Sequence, residues 1–271
     1  MLMKVADTVF VVTGAGGGIG GELVLALLER GARVAAVDLR KESLRDIQKR
    51  AGVHDEQLSL HPLDITDKKA VAKLPEIVID AHGSVDGVIN CAGVIQPFVK
   101  VNDLDYDAVE RVMNINFYGT LYVTKSFLPH LLQRPEAYIA NVSSMGGFLP
   151  VPGQSVYGAS KAAVKLLTEG LYAELLDTPV HVSVVFPGAT ATDITKNSQV
   201  KTPGADGADT AKMTAKTLAP DKAATIILDG IEKNKPQIFT GSDSRFMNKL
   251  YRLRPEFATR FIAKQMKALL E

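Results

Sequence analysis

Short apolar segments rich in Val and Ile recur along this 271-residue chain and alternate with amphipathic stretches. Within most of these segments the apolar residues follow one another directly, which is typical of strands covered on both faces. Strands that alternate with helices predict βαβ units and a parallel sheet. The seven predicted strands are Val9–Val12, Arg33–Val37, Leu58–Pro62, Gly87–Asn90, Tyr138–Val142, Val180–Phe186 and Gln237–Phe239. We therefore expect a single α/β domain over residues 1–271, with a doubly wound sheet flanked by helices on both faces.

Composition excludes several classes of function. The net charge is +1, so no basic field indicates a nucleic acid partner. The single cysteine, Cys91, leaves no internal disulfide and suits a reducing compartment. The five histidines are scattered, and none has a metal-ligand spacing with Cys91, so we expect no metal site. We find no signal peptide and no run of ~18 apolar residues that could span a membrane, so we expect a cytoplasmic protein.

A glycine-rich turn follows the first predicted strand and opens a helix. Glycines at such a point let the backbone turn tightly and approach a pyrophosphate, while the helix N-terminus offers N–H groups to the phosphates. A P-loop is the main alternative, but Glu22 and Leu23 stand where Lys and Ser or Thr would be needed. The turn reads Thr13-Gly14-Ala15-Gly16-Gly17-Gly18-Ile19-Gly20. It predicts a dinucleotide-binding site.

Asp38 ends the second predicted strand, near the ~20-residue offset of the acid that binds the adenosine ribose. A carboxylate at this position accepts hydrogen bonds from the ribose hydroxyls and repels a 2′-phosphate, which favours NAD over NADP. Arg40 and Lys41 lie nearby and could soften that preference, so NADP stays possible. A helix cap or a loop carboxylate is the alternative interpretation of Asp38.

Tyr157 and Lys161 lie four residues apart, on one face of a predicted helix. A phenol titrates near ~10, too high for a proton shuttle at neutral pH, and a neighbouring ammonium lowers that pKa. Ser144 stands thirteen residues before Tyr157. Its hydroxyl could donate to a carbonyl oxygen, or it could cap a turn. Asn116 could hold an ordered water or satisfy backbone groups.

In their order and spacing, these motifs resemble the compact branch of the short-chain dehydrogenase/reductase family, over roughly residues 7–240. Asp64-Ile65 after the third strand and the segment from Pro187 to Thr192 after the sixth also match. The resemblance implies a Rossmann-type fold and hydride transfer between NAD(H) and an alcohol or carbonyl. In one departure, Cys91 stands where the family usually has Asn, which puts local support of the sheet in question.

The resemblance also implies roles for individual residues. Tyr157 would be the general acid/base, Lys161 would lower its pKa and bind the nicotinamide ribose, and Ser144 would orient the substrate oxygen. Asn116 would support a water-linked proton relay to Lys161. Substrate binding is expected at Ser144, Gln154 and Tyr157. Cofactor binding is expected at Gly14, Gly16, Gly17, Gly18, Ile19, Gly20, Asp38, Leu39, Asp64, Ile65, Asn90, Ala92, Gly93, Tyr157, Lys161, Pro187, Gly188, Ala189, Thr190 and Thr192.

Two segments near the expected site, Val94–Phe98 and Met145–Val151, are largely apolar and have no clustered Arg or Lys. Charged substrates normally need such cations, so we expect an uncharged, lipophilic alcohol or ketone. Packing in the core is the alternative role for these residues. An NADP-dependent carbonyl reductase and a non-catalytic, dinucleotide-sensing regulatory protein remain alternative functions.

Two regions lie outside the strand–helix pattern. Residues 193–219 are rich in Gly, Ala, Thr and Lys and follow a strand end, so they predict either a substrate lid or a surface loop. Residues 244–271 predict a basic amphipathic helical tail. We favour a pocket cover or a subunit interface for this tail over membrane-surface contact. Relatives pair through the helices predicted here at 117–132 and 156–176, which implies a homodimer or a homotetramer.

Overall fold

The protein, described from a computed structural model over residues 4–200 and 217–267, is built on a seven-stranded parallel sheet. The strand order is β3-β2-β1-β4-β5-β6-β7. The strands are β1 (Val9–Thr13), β2 (Arg33–Asp38), β3 (Leu58–Pro62), β4 (Gly87–Asn90), β5 (Ala137–Val142), β6 (Val180–Pro187) and β7 (Gln237–Thr240). All seven predicted strands are present, each end within one residue, and the predicted fold class is confirmed.

Helices connect the strands and cover the sheet. A π-helical turn at Asn114–Gly119 joins α4 to α5, and short 3₁₀ turns lie at Val101–Asp103 and Met145–Gly147. The helices are α1 (Gly18–Glu29), α2 (Lys41–Ala51), α3 (Lys68–His82), α4 (Tyr106–Met113), α5 (Thr120–Leu131), α6 (Ser155–Glu174), α7 (Ile194–Asn197), α8 (Pro220–Glu232), α9 (Ser242–Leu253) and α10 (Pro255–Met266). Within the described ranges, no helix is both long and apolar enough to cross a bilayer.

The apolar core forms two layers because successive side chains of a strand point to opposite faces. In β1, Phe10 and Val12 join the layer that contains α1 and α8. Val9 and Val11 join the other layer, which contains side chains of α3 and α5. This arrangement explains why the strands are continuous apolar runs.

The strand register aligns the ends of the central strands. Thr13 pairs with Val37 on one side and with Asn90 on the other, and Asn90 pairs in turn with Asn141. Since the strands are parallel, the loops that follow β1, β2, β4 and β5 leave the sheet at the same edge. Ligands bind at such edges of doubly wound sheets.

Candidate active site

A cavity of about 670 Å³ opens at this edge, and most of the predicted site residues line it. Its size is typical of small-molecule and cofactor sites. The predicted residues that line it are Gly14, Gly17, Gly18, Ile19, Gly20, Asp38, Leu39, Asp64, Ile65, Ala92, Gly93, Ser144, Tyr157, Lys161, Pro187, Gly188, Thr190 and Thr192. Five predicted residues are not part of the lining: Gly16, Asn90, Asn116, Gln154 and Ala189.

The glycine-rich turn lies between β1 and the N-terminus of α1. Gly14 has a φ of 68°, and a Cβ there would lie 2.7 Å from the Ala92 Cα, so a larger residue would displace the backbone after β4. A Cβ on Gly17 would meet nothing within 4 Å, so this position faces open space. The open space beside a helix N-terminus fits an anionic pyrophosphate group.

Asp38 is anchored at the end of β2, beside the glycine-rich turn. Its Oδ2 accepts a hydrogen bond from the Gly16 N–H at 2.9 Å, and its Oδ1 accepts one from the Arg40 N–H at 3.0 Å. Both Asp38 and Arg40 line the cavity. Gly16 therefore contributes by orienting the Asp38 carboxylate, which is the group expected to meet the adenosine ribose.

The loop after β3 lines the end of the cavity at which Asp38 lies. Asp64 Oδ1 accepts hydrogen bonds from the Thr66 N–H and hydroxyl at 2.8 and 2.7 Å, so its side chain fixes the turn toward α3. Leu63 and Ile65 present apolar surface to the cavity, as does Ile115. Apolar walls of this kind suit a flat adenine ring.

Ser144, Tyr157 and Lys161 come together at the other end of the cavity. Ser144 follows β5, while Tyr157 and Lys161 lie on α6. Burial raises the pKa of the Tyr157 phenol above its ordinary value of 10.0, and a hydrogen bond with Ser144 opposes that rise. The protein alone thus holds Tyr157 protonated at neutral pH, in the form that donates a proton.

Lys161 is almost fully buried, and its Nζ donates a hydrogen bond to the Val142 carbonyl at 2.9 Å. Burial lowers the pKa of its ammonium from 10.5 to about 8, while the nearby Cys91 opposes this shift. A Cβ on Gly93 would lie 3.0 Å from the Lys161 Nζ, so a glycine at this position leaves room for the ammonium. Lys161 therefore still carries its positive charge at neutral pH.

Asn116 lies within the π-helical turn and is fully buried. Its side chain accepts from the Val94 N–H at 2.8 Å, and its amide nitrogen donates to the Val94 carbonyl and the Ser160 hydroxyl at 2.9 Å each. The side chain thus fastens the loop after β4 to α6. Helical irregularities of this type are frequent at functional sites.

Asn90 supports the centre of the sheet and does not face the cavity. Its Nδ2 donates to Asn141 Oδ1 at 2.8 Å, and Asn141 Nδ2 donates to the Thr168 hydroxyl at 3.0 Å. This buried polar chain links β4, β5 and α6. The adjacent Cys91 lines the cavity, and burial raises the pKa of its thiol to about 11, which keeps it neutral.

The segment after β6 is held by a residue that sequence reasoning missed. Asp243, on α9, accepts a hydrogen bond from the Ala189 N–H at 2.9 Å, and Ser244 donates to the Phe186 carbonyl at 2.8 Å. A Cβ on Gly18 would lie 3.5 Å from Thr192, so the segment faces the glycine-rich turn across the cavity. Asp243 is 54 residues from Ala189, and no local signal pairs the two.

Two glutamines organise the N-terminus of α6. Gln96 is fully buried, and its Oε1 accepts hydrogen bonds from the N–H groups of Val156 and Tyr157 at 2.8 and 3.0 Å. Gln154, predicted to contact substrate, is also buried, and its Nε2 donates to the Gln96 carbonyl at 2.9 Å. Among the described residues its Oε1 has no hydrogen-bond partner. Gln154 thus lies behind Tyr157, outside the cavity lining.

The predicted lid at 193–219 is described in part. Residues 201–216 lie outside the described ranges. Before them, α7 contributes Ile194, Lys196 and Asn197 to the cavity wall. Ser198 then accepts a bond from the Ile95 N–H at 2.9 Å through its hydroxyl, and its carbonyl accepts one from Arg111 at 2.8 Å. The sequence did not predict Arg111 at the cavity, and it placed Lys196 there only as part of the predicted lid.

The cavity combines a site for an anionic dinucleotide with a phenol, a hydroxyl and an ammonium group. The glycine turn, the oriented Asp38 and the apolar end fit a nicotinamide dinucleotide. A protonated phenol beside a hydroxyl suits proton exchange with an alcohol or carbonyl oxygen. Within the described ranges, no cluster of three or more His, Cys, Asp or Glu could hold a metal ion.

Comparisons with known proteins identify the family and the fold of the chain. A family model described as short chain dehydrogenase matches residues 8–202. A Mycobacterium tuberculosis protein named as an oxidoreductase, SadH, is 34% identical over 263 residues, with 94% of each chain covered. A short-chain dehydrogenase from Burkholderia cenocepacia, solved with NADP, is 28% identical with a TM-score of 0.79, over 96% of this chain and 99% of the other. A Burkholderia phymatum protein solved with NAD has the same fold, with a TM-score of 0.80 at 22% identity over 93% and 97% of the chains.

Proposed function

The chain belongs to the short-chain dehydrogenase/reductase family, and from that membership we propose that it transfers a hydride between NAD(H) and an uncharged, lipophilic alcohol or ketone. The observation that carries this proposal is that Ser144, Tyr157 and Lys161 line one cavity together with the glycine-rich turn. The three side chains proposed for proton transfer thus lie beside a site that fits a nicotinamide dinucleotide.

In the proposed reaction, Tyr157 exchanges a proton with the substrate oxygen. In oxidation, its phenolate takes the alcohol proton while the substrate carbon loses a hydride; in reduction, the phenol donates the proton to the carbonyl oxygen. The nicotinamide, when bound, supplies or accepts the hydride. The Ser144 hydroxyl donates to the substrate oxygen as charge develops there. In this proposal the Lys161 ammonium, like the Ser144 hydroxyl, opposes the rise that burial imposes on the pKa of the phenol. Asn116 would support a water-linked proton relay to Lys161.

Replacement of Tyr157 by Phe tests this assignment. We expect Tyr157→Phe to reduce turnover by at least ~100-fold, the scale of general acid–base catalysis. NADH binding, measured by the change in cofactor fluorescence, should stay nearly intact because the ring is retained. Tyr172→Phe, an exposed position on α6, is the matched control. Undiminished turnover in Tyr157→Phe would refute the role of Tyr157 as general acid/base.

The wild-type protein itself distinguishes an enzyme from a sensor. A wild-type protein that binds NADH but turns over no alcohol or ketone would favour the dinucleotide-sensing alternative.

NAD is the proposed cofactor because Asp38 lines the cavity at its adenosine end, with its carboxylate held by two backbone N–H groups. Arg40 also lines this end, so NADP is the second candidate. We expect the wild-type protein to bind NADH at least ~10-fold more tightly than NADPH, because a carboxylate repels the 2′-phosphate. Asp38→Ser should reduce or reverse that ratio, and fluorescence titrations with both cofactors measure it. Equal affinities in the wild-type protein would contradict the assignment.

The substrate class is proposed from the surroundings of Ser144. The following residues Met145 and Phe148 are apolar and pack in a cluster around Leu149. Lys196 and Arg111 are cations of the cavity wall beside the predicted lid, and Lys196 could instead bind a carboxylate. A panel of lipophilic alcohols and hydroxy acids separates the two cases. Higher kcat/KM for hydroxy acids, lost in Lys196→Met, would overturn the lipophilic assignment.

We also propose a closing segment and an oligomer. The described start of the predicted lid, residues 193–200, would cover the substrate, since Ile194, Lys196 and Asn197 contribute to the cavity wall. The exposed face of α6 would form a subunit contact, since an apolar stripe runs along it. The stripe contains Ala159, Ala163, Leu166, Gly170 and Ala173.

A further inference from the structure

Only some of the apolar residues on the two C-terminal helices, α9 and α10, pack against the rest of the protein. Met247 and Ala258 are buried and pack with Leu149. Leu250, Tyr251 and Ile262 are partly buried against this cluster. The inner faces thus hold the helices on the segment that follows Ser144, and other apolar residues remain on the outside.

The outer faces of the same helices expose large apolar side chains. The exposed fractions are 61% for Phe246, 82% for Leu253, 55% for Phe257 and 42% for Phe261. The rings of Phe257 and Phe261 stack with centroids 6.4 Å apart and planes at 19°. Phe257 and Phe261 thus form an apolar cluster on the surface of α10, and such clusters, in contrast to single exposed groups, indicate an interaction site.

Basic side chains surround these apolar groups. Residues 242–267 contain seven Lys or Arg and two acidic residues, in a chain whose net charge is +1. One of the acids, Asp243, is turned inward to the Ala189 N–H. The other, Glu256, is exposed and lies 3.8 Å from Arg260. The surface is therefore strongly basic.

Helical spacing places the basic and apolar groups side by side. On α9, Lys249 follows Phe246 by three residues and precedes Leu253 by four. On α10, Arg260 follows Phe257 by three, and Lys264 follows Phe261 by three. Residues three or four apart are neighbours on a helix surface. Each helix therefore presents aromatic or aliphatic groups flanked by cations.

We propose that this C-terminal surface, formed by Phe246, Lys249, Leu253, Phe257, Arg260, Phe261 and Lys264, docks on a bilayer that contains anionic phospholipids. The apolar side chains would enter the interface between headgroups and acyl chains, and the cations would lie against lipid phosphates. A second copy of this surface is a poor partner, since docking would place like charges opposite each other. This inference does not depend on the reaction that the cavity performs.

Vesicle sedimentation of the full-length protein tests the docking. We expect binding to vesicles of equimolar phosphatidylcholine and phosphatidylglycerol, at least ~10-fold weaker binding to phosphatidylcholine alone, and loss of binding at high salt. Phe257→Ser/Phe261→Ser and Arg260→Gln/Lys264→Gln should each weaken binding by ~10-fold or more. Neither variant should change turnover of a water-soluble alcohol, because these residues lie outside the cavity lining.

The matched controls lie on α3. Lys69→Gln/Lys73→Gln removes two exposed cations with the same spacing, and Ile77→Ser removes a side chain that is 47% exposed. Both controls should bind vesicles as the wild type does. The proposal is overturned if the wild-type protein binds no vesicles, or if the α3 variants weaken binding as much as the α10 variants. It is also overturned if the α10 variants change the oligomeric state or the binding of an acidic polypeptide such as polyglutamate, but not vesicle binding.

Discussion

Lys161 shows how one residue meets two opposing demands. The role proposed for it requires a positive charge beside the Tyr157 phenol, yet only 4% of its surface is exposed. The Val142 carbonyl accepts one hydrogen bond from its ammonium, which compensates part of the lost hydration. The remaining cost of burial lowers the pKa of the ammonium to about 8, so the charge is kept at neutral pH at the expense of stability.

The pH dependence of stability measures this cost. The folded protein holds Lys161 with a pKa of about 8, below its ordinary value of 10.5. Between these values the unfolded chain retains a proton that the folded chain has lost, so stability rises with pH. We expect the free energy of unfolding of the wild type, relative to Lys161→Met, to rise from pH 8 to pH 10.5 by about 3 kcal/mol in total.

Urea denaturation of both proteins across this pH range is the measurement. Below pH 8, both states carry the proton, and the difference between the two proteins should be constant. Lys73→Met, which replaces an exposed lysine on α3, is the control and should show no such rise. A difference that stays flat or falls with pH would contradict the buried-charge account.

At the scale of elements, α6 is positioned by a side chain from elsewhere in the chain. No side chain near the start of α6 caps its N-terminus, whereas Gln96 accepts hydrogen bonds from the N–H groups of Val156 and Tyr157. Gln96 Nε2 also donates to the Gly153 carbonyl at 3.0 Å. These hydrogen bonds join the loop after β4 to the start of the helix that bears Tyr157 and Lys161.

Gln96→Leu tests this positioning role. It leaves the partly buried N–H groups of Val156 and Tyr157 without this acceptor, so we expect a loss of about 1–3 kcal/mol in the free energy of unfolding. We also expect kcat to fall by ~10-fold or more with little change in the affinity for NADH, because the glycine-rich turn is untouched. Gln133→Leu, at an exposed position after α5, is the control. A stable Gln96→Leu protein with unchanged kcat would show that α6 holds Tyr157 without this cap.

Local sequence patterns predict the strands and the glycine-rich turn, but they do not predict contacts between residues that are far apart in the sequence. The Val- and Ile-rich runs locate every strand to within one residue, because burial on both faces leaves a continuous apolar signature. The glycine turn and the Tyr157–Lys161 spacing are equally local. Gln96, by contrast, reaches residues 60 and 61 positions away, and Asp243 reaches one 54 positions away. Gln154, predicted to contact substrate, donates a hydrogen bond to the Gln96 carbonyl, a contact over 58 positions that no local pattern predicts.

At the scale of the whole molecule, the C-terminal surface and the α6 stripe both expose apolar groups but differ in charge. The C-terminal surface is basic, whereas the stripe on α6 from Ala159 to Ala173 consists of Ala, Leu and Gly. Small side chains let two helices approach closely, and Leu166 is 69% exposed in a single chain. The uncharged stripe is therefore suited to a second copy of the chain, while the basic surface is suited to an anionic partner.

Leu166→Glu separates these two roles. The proposed contact would bury a carboxylate in the middle of the α6 stripe opposite its own copy, so we expect an oligomeric wild type and a monomeric Leu166→Glu protein. Analytical ultracentrifugation at micromolar concentration would measure this change. Ile77→Glu on α3 and Phe257→Ser/Phe261→Ser on α10 should leave the oligomeric state unaltered, since neither lies on the stripe. An unchanged mass for Leu166→Glu, or a monomeric Phe257→Ser/Phe261→Ser protein, would mean that the subunits meet elsewhere.

The same variant links the two surfaces. A dimer that meets along α6 carries two C-terminal surfaces, and two surfaces that reach one bilayer bind it more tightly than one. The monomeric Leu166→Glu protein should therefore bind anionic vesicles more weakly than the wild type.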